Sequence, residues 1–224
     1  MTQLDIDRPA AGVTRLRLNG PDTLNALDAG VKSQLVDALR DIAVDRSTRV
    51  VLLTGTGKAF CSGGDIRGMG NRSASGTIDV LTFGRQIIEG ITGLQKPVVA
   101  AVNGIASGAG FNLALSADII LAARPAWFQQ TFVRMGLMPD MGGTYLLAQA
   151  IGLHRAKNAL LTGHRFSSEE AVDLGFASRV IDENFDEEAI FFCSELARKA
   201  PLAMGLTKLP GNRGLRGRSR RLRA

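Results

Sequence analysis

Only two cysteines occur in the 224 residues, Cys61 and Cys193. Two cysteines so far apart argue against a disulfide framework. The sequence has two histidines, His154 and His164. No cluster of His, Cys or Asp has the spacing of metal ligands, so no metal site is expected. No apolar run is long enough to span a bilayer, and no secretory apolar segment opens the chain. The expectation is a cytoplasmic, reducing setting with no membrane partner. Acidic residues are missing from one stretch, "GNRGLRGRSRRLRA" (211–224), which holds six arginines. That stretch accounts for the whole net charge of +6, and the rest balances at 21 basic against 21 acidic residues. A run of like charge with no aromatic interleaved reads as a disordered tail, not as a nucleic-acid surface. Residues 210–224 are therefore set apart from one domain over 1–209.

What is present is enough apolar material for one substantial core, 45% of the chain. Four runs rich in Val, Ile and Leu read as strands: 13–19, 49–55, 96–102 and 117–123. The second and third read as buried on both faces. Helical patterns lie between them. "DAGVKSQLVDALRDIAVD" (28–45) opens on Asp28 as an N-cap, with Val31, Leu35, Leu39 and Ile42 at helical spacing. "TFGRQIIEGITGL" (82–94) repeats the theme. "SSEEAVDLG" (167–175) starts with a cap-like serine, and "DEEAIFFCSELARKA" (186–200) is closed by Pro201. Strands alternating with helices give an α/β fold class.

"NGIASGAGFNLAL" (103–115) follows the third strand, and the segment after Gly110 reads as a helix. Its glycines have the spacing of a dinucleotide turn. However, nearly half the chain precedes it, and the only tyrosine, Tyr145, has Gln149 four residues on instead of a lysine. Close helix–strand packing is the plainer reading of the glycines.

Five stretches, taken in order, are similar to the crotonase, or enoyl-CoA hydratase/isomerase, superfamily: "PDTLNALD" (21–28), "VVLLTGTGKAFCSGGDI" (50–66), "KPVVAAVNGIASGAGFNLALSADIILAA" (96–123), "GLMPDMGGTYLL" (136–147) and "LLTGHRFSSEEAVDLGFASRVID" (160–182). The pattern is closest to isomerase-type members, such as the ring-epoxide isomerases of phenylacetate degradation. The resemblance implies a right-handed spiral of ββα units, assembled as a trimer or a dimer of trimers. It implies an acyl group carried as a coenzyme A thioester, with no further cofactor. The backbone N–H groups of Gly64 and Ala109 match the two donors that hold the thioester oxygen. Such a pair stabilises the charge that develops when a neighbouring proton is removed. Arg67 matches a basic position that faces the coenzyme A phosphates, with a solvated arginine as the alternative. Asp65 reads as a structural hydrogen-bonding residue, Cys61 as a buried apolar cysteine, and both histidines as structural.

The sequence departs from the hydratase pattern at both catalytic glutamates. Asn112 and Phe132 stand in their places, where they line the substrate instead of titrating. Asp140, in "GLMPDMGGT", matches an aspartate implicated in acid–base work in isomerase members. Its plainer alternative is a cap on a helix starting near Gly142. After "PLAMGLTKL" the family continues through amphipathic helices that cover the acyl site, whereas this chain turns to Pro, Gly and Arg, as a truncation or a shifted frame would. The expected activity is an acyl-CoA isomerase with Asp140 as acid/base. Enoyl-CoA hydration and thioester binding without turnover are the alternatives.

Overall fold

A computed structural model describes residues 1–67 and 74–209; the arginine-rich stretch 210–224, expected to be a disordered tail, lies outside the described residues. The strands are β1 (Gln3–Ala10), β2 (Val13–Asn19), β3 (Val50–Gly55), β4 (Ala59–Cys61), β5 (Val98–Val102), β6 (Ile105–Ser107), β7 (Ile119–Ala123), β8 (Trp127–Gln129), β9 (Arg165–Ser167) and β10 (Arg179–Ile181). The helices are α1 (Ala29–Val44), α2 (Ala74–Gly93), α3 (Ala109–Leu115), α4 (Gly143–Ile151), α5 (Leu153–Thr162), α6 (Ser168–Asp173) and α7 (Phe185–Ala197). Residues 201–209 are also helical.

The four apolar runs became β2, β3, β5 and β7, neighbours in a six-stranded sheet ordered β1-β2-β3-β5-β7-β10. All its pairings are parallel except that of the edge strand β1 with β2. Both faces of the sheet are covered, as a parallel sheet requires. Along β3, Val51 and Leu53 enter the core shared with α1 and α2, while Val50 and Leu52 meet Ala189, Cys193 and Ala197 of α7. The period-2 alternation of strand side chains thus serves two apolar layers.

A second sheet, β4-β6-β8-β9, takes the short strand that follows each long one. β3 passes to β4, β5 to β6 and β7 to β8, so the chain winds as a spiral of strand–strand–helix turns. Its first three strands are parallel, and β9 closes it antiparallel.

The caps follow the expected chemistry. Asp28 accepts from the Val31 N–H at 3.0 Å, and Ser167 and Glu170 form a reciprocal capping box on α6. Two expectations are corrected. The helix expected over 82–94 begins eight residues earlier, at Ala74. Pro201 does not close α7, which ends at Ala197; it stands first in the helical residues 201–209, where its missing N–H costs nothing. On α7, Phe191 is exposed, whereas Phe192 and Leu196 pack against the sheet.

Candidate active site at the strand ends of the second sheet

β4, β6 and β8 run parallel side by side, so the segments that leave their carboxyl ends emerge together. This is the usual place for a ligand in an α/β fold. β4 delivers Gly63 and Gly64, β6 delivers Gly108 and Ala109, and β8 delivers Gln130 and Phe132.

The first two segments nearly touch. Gly63 has φ +111°, and a Cβ there would lie 2.9 Å from the Ser107 oxygen and 3.5 Å from the Ala109 nitrogen. Only glycine permits this approach. The Gly64 segment is fixed by a bridge to Leu27: Leu27 N–H donates to the Gly63 oxygen at 2.7 Å and Asp65 N–H donates back to the Leu27 oxygen at 3.2 Å. Behind it, the fully buried Asn25 accepts from Gly20 N–H at 2.8 Å and donates to the Ala59 and Thr56 oxygens at 2.7 and 2.9 Å. Among the described residues, neither the Gly64 nor the Ala109 N–H has an acceptor, and Gly108 offers α3 no side-chain cap. Two donors on neighbouring segments are therefore left without an acceptor among the described residues. Within the glycine loop, a Cβ on Gly110 would collide with the Cys61 oxygen, so that glycine serves close helix–strand packing.

The third segment lies against the second. Phe132 is half-buried, with its ring edge 3.7 Å from the Cβ position of Gly108. Asn112 is fully buried on α3; its Nδ2 donates to the Asp140 main-chain oxygen at 3.0 Å and its Oδ1 accepts from Gln130 Nε2 at 2.7 Å. Both ends of the amide are engaged by protein groups, so Asn112 ties this segment to Asp140.

Asp140 is half-buried on the turn before α4. Its main-chain oxygen accepts from Gly143 N–H at 2.9 Å, whereas α4 has no side-chain cap. The carboxyl as a helix cap is thus corrected: the backbone makes that bond. Asp140 Oδ1 is buried with no hydrogen-bond partner among the described residues. Burial raises this carboxyl above its ordinary value, opposed by the charge of Lys32 on α1 and by its own backbone N–H.

Arg67 is exposed at the mouth of the Gly64 loop. Its guanidinium forks onto Asp65, with Nε at 3.0 Å from Oδ1 and Nη2 at 3.0 Å from Oδ2. Asp65 also accepts from Arg67 N–H at 3.0 Å, the structural part expected of it. Cys61 is fully buried and burial pushes its thiol up to about 12, so it is no nucleophile at neutral pH. His164 lies at the surface, 3.4 Å from Glu170 and with its ring against Phe166. Among the described residues no group of His, Cys, Asp and Glu is placed to hold a metal, and no helix is long and apolar enough to cross a membrane.

Two site-building residues escaped the sequence reading. Gln130 showed no signal beyond its place after a strand. Lys32 lies next to Val31 on the apolar arc of α1, where a charge is a visible anomaly.

The sequence and the fold match those of known proteins. A family model described as enoyl-CoA hydratase/isomerase matches residues 8–221. The chain is 36% identical over 216 residues to 1,2-epoxyphenylacetyl-CoA isomerase of Escherichia coli, covering 93% of this chain and 81% of that one. It is 37% identical over 209 residues to a probable enoyl-CoA hydratase of Rhodobacter capsulatus, covering 91% and 79%. The crystal structure of an enoyl-CoA hydratase from Bacillus anthracis superposes with a TM-score of 0.91 at 32% identity, over 96% of this chain and 84% of that one.

Proposed function

The chain belongs to the enoyl-CoA hydratase/isomerase family, and from that premise we propose that it is an acyl-CoA isomerase with Asp140 as its acid/base. The observation that carries this reading is the Asp140 carboxyl. It is half-buried, has an Oδ1 with no hydrogen-bond partner among the described residues, and is held above its ordinary pKa by burial, while positions 112 and 132 carry no acid. A base whose pKa approaches the working pH is the useful one for proton transfer.

In this reading the thioester oxygen of the substrate receives the N–H groups of Gly64 and Ala109. The Asp140 carboxylate takes a proton from the carbon next to the thioester. The electron pair moves onto the oxygen as an enolate, and the two amides stabilise the new charge by about 3–4 kcal/mol each. The protonated Asp140 then returns the proton at the far end of the conjugated system, and the double bond has moved. The reaction is redox-neutral and uses no cofactor beyond the coenzyme A of the substrate. Arg67, steadied by Asp65, meets the coenzyme A phosphates. The working form is a homo-oligomer, a trimer or a dimer of trimers.

A second reading, enoyl-CoA hydration through a water activated by Asp140, is favoured by the similarity to the probable hydratase of R. capsulatus. The test is turnover of the purified chain on 3-enoyl- and 2-enoyl-CoA thioesters. The isomerase reading expects 2-enoyl product from the 3-enoyl substrate at a rate well above hydration. Faster hydration would favour the second reading, and binding of both without turnover would overturn the enzymatic one.

A further inference from the structure

Around the amino end of β3 lies a cavity of about 620 Å³ that shares no lining residue with the Gly64, Ala109 or Asp140 segments. Three parts of the chain meet there: the β1–β2 turn with Ala11 and Gly12, the loop after α1 with Arg46 and Arg49, and the end of α7 with Ala197 and Arg198. Their approach is close. Gly12 has φ +77°, and a Cβ on it would lie 3.2 Å from Arg49 Cδ and 3.3 Å from Ala197 Cβ. The Gly12 oxygen accepts from the Arg49 and Val50 N–H groups at 2.8 and 3.0 Å, and Arg49 Nη1 donates to the Ala197 oxygen at 3.0 Å. The cavity is thus built on fixed main chain, not on loose side chains alone.

Its charge is one-sided. Arg46, Arg49 and Arg198 line it, and among the described residues no carboxylate does. The two carboxylates that come nearest in sequence are engaged. Asp45 pairs with Arg8 at 3.0 Å and accepts from Ser47 N–H at 2.9 Å, while Glu195 pairs with Arg198 at 2.8 Å. Arg46 and Arg49 have no ion pair among the described residues. Arg46 stands between Asp45 and Ser47, so the bonds that join those two fix its backbone and leave its side chain at the surface. Like charges gathered without counter-charge repel one another, and a bound anion relieves the repulsion.

We propose that this cavity is a second binding site, for a small molecule that carries a phosphate group. A guanidinium fork matches phosphate oxygens in pairs, and three forks around one space suit a dianion. The volume falls within the range of small-molecule sites, roughly 300–1,000 Å³. It exceeds what a phosphate ion alone fills, and Ala11 and Ala197 offer an apolar side to the rest of the ligand. The bound anion links the loop after α1 to the end of α7, the helix that covers Val50 and Leu52 of the sheet. The site is independent of the Asp140 reading. The oxyanion donors follow the carboxyl ends of β4 and β6, whereas this cavity lies at the amino end of β3.

The experiment is calorimetric titration of the full chain at low salt with inorganic phosphate, inorganic pyrophosphate and AMP, beside thermal melts with each. Saturable binding is expected, with a raised Tm, because a ligand that binds only the folded chain stabilises it. Arg46→Gln and Arg198→Gln should each weaken binding by at least about tenfold, the loss of one charge-assisted hydrogen bond. Arg46→Gln should melt like wild type without ligand and keep wild-type turnover on thioesters. Arg67→Gln should bind the probes as wild type does. AMP binding tighter than the inorganic ions assigns an organic phosphate, and AMP binding no tighter assigns a free anion; both uphold the site. Three results overturn it: no saturable binding of any probe, unchanged affinity in folded Arg46→Gln and Arg198→Gln, or loss of binding in Arg67→Gln, which would put the anion at the mouth of the Gly64 loop.

Discussion

The Nδ2 of Asn112 donates to the main-chain oxygen of Asp140 at 3.0 Å, and both the amide and its second partner, Gln130, are fully enclosed. A position that holds a catalytic glutamate in hydratase members, by the resemblance drawn from the sequence, is used here to fasten the turn that carries the remaining acid. Asn112→Ala should therefore cost about 2–3 kcal/mol in urea unfolding, since it leaves a buried donor on Gln130 and the Asp140 oxygen each short of a partner. It should also lower kcat more than it weakens thioester affinity.

The two glycines of the first loop should behave in opposite ways. A Cβ on Gly64 meets nothing within 4 Å, so Gly64→Ala should fold with wild-type stability and keep its amide. Gly64→Pro removes the N–H and should lower turnover by about 10²–10³-fold, the usual loss for one oxyanion donor. Gly63→Ala combines φ +111° with a contact 2.9 Å from the Ser107 oxygen, and should destabilise the protein as well as inactivate it. Thermal melts beside rates on one thioester separate the three.

Stability should report the Asp140 carboxyl through pH. Burial raises its folded value above the unfolded one. The native state therefore binds this proton more tightly than the unfolded chain does. The group's contribution to folding is fully present below the unfolded aspartate range and is lost as pH rises through the folded value. Asp140→Asn does not titrate, so the variant should gain on wild type as pH rises across that window and then run parallel to it. Urea midpoints taken from the aspartate range to neutrality check the slope; a constant difference would mean the carboxyl is not perturbed.

The helical residues 201–209 are held by a buried charge. Lys208 lies 2.7 Å from Asp118 Oδ2 with its side chain 4% exposed, and donates to the Lys96 oxygen at 3.0 Å. Lys208→Ala strands Asp118, which among the described residues keeps the Val98 N–H at 2.8 Å. A loss of about 2 kcal/mol is expected, below the fully buried case because Asp118 is partly solvated. Faster hydrogen exchange in residues 201–209 should accompany it.

The long elements were legible because their signals are long. β3 and β5 are unbroken apolar runs, and α1 carries its cap and its apolar stripe together. The three-residue strands β4, β6, β8, β9 and β10 are shorter than any period that could reveal them. β1 is an edge strand with mostly exposed side chains, so burial never shaped its pattern. The donor loops were legible only as motifs; nothing in "CSGGD" or "SGAGF" says that they lie side by side, which depends on β4 pairing with β6. Asn112 stood out as an acid replaced, but its full burial and its grip on Asp140 are tertiary facts.

The central claim is that one carboxyl, Asp140, carries the proton while Gly64 and Ala109 hold the oxygen. The direct measurement is the rate of double-bond migration on a 3-enoyl-CoA thioester by wild type and Asp140→Asn, with thioester affinity measured on both. Asparagine keeps the shape, the backbone bond to Gly143 and the brace from Asn112, and removes only the titrating group. The account predicts a loss of at least about a hundredfold in rate, the scale of a deleted general acid/base, with affinity nearly unchanged. Full isomerase activity in Asp140→Asn would contradict it.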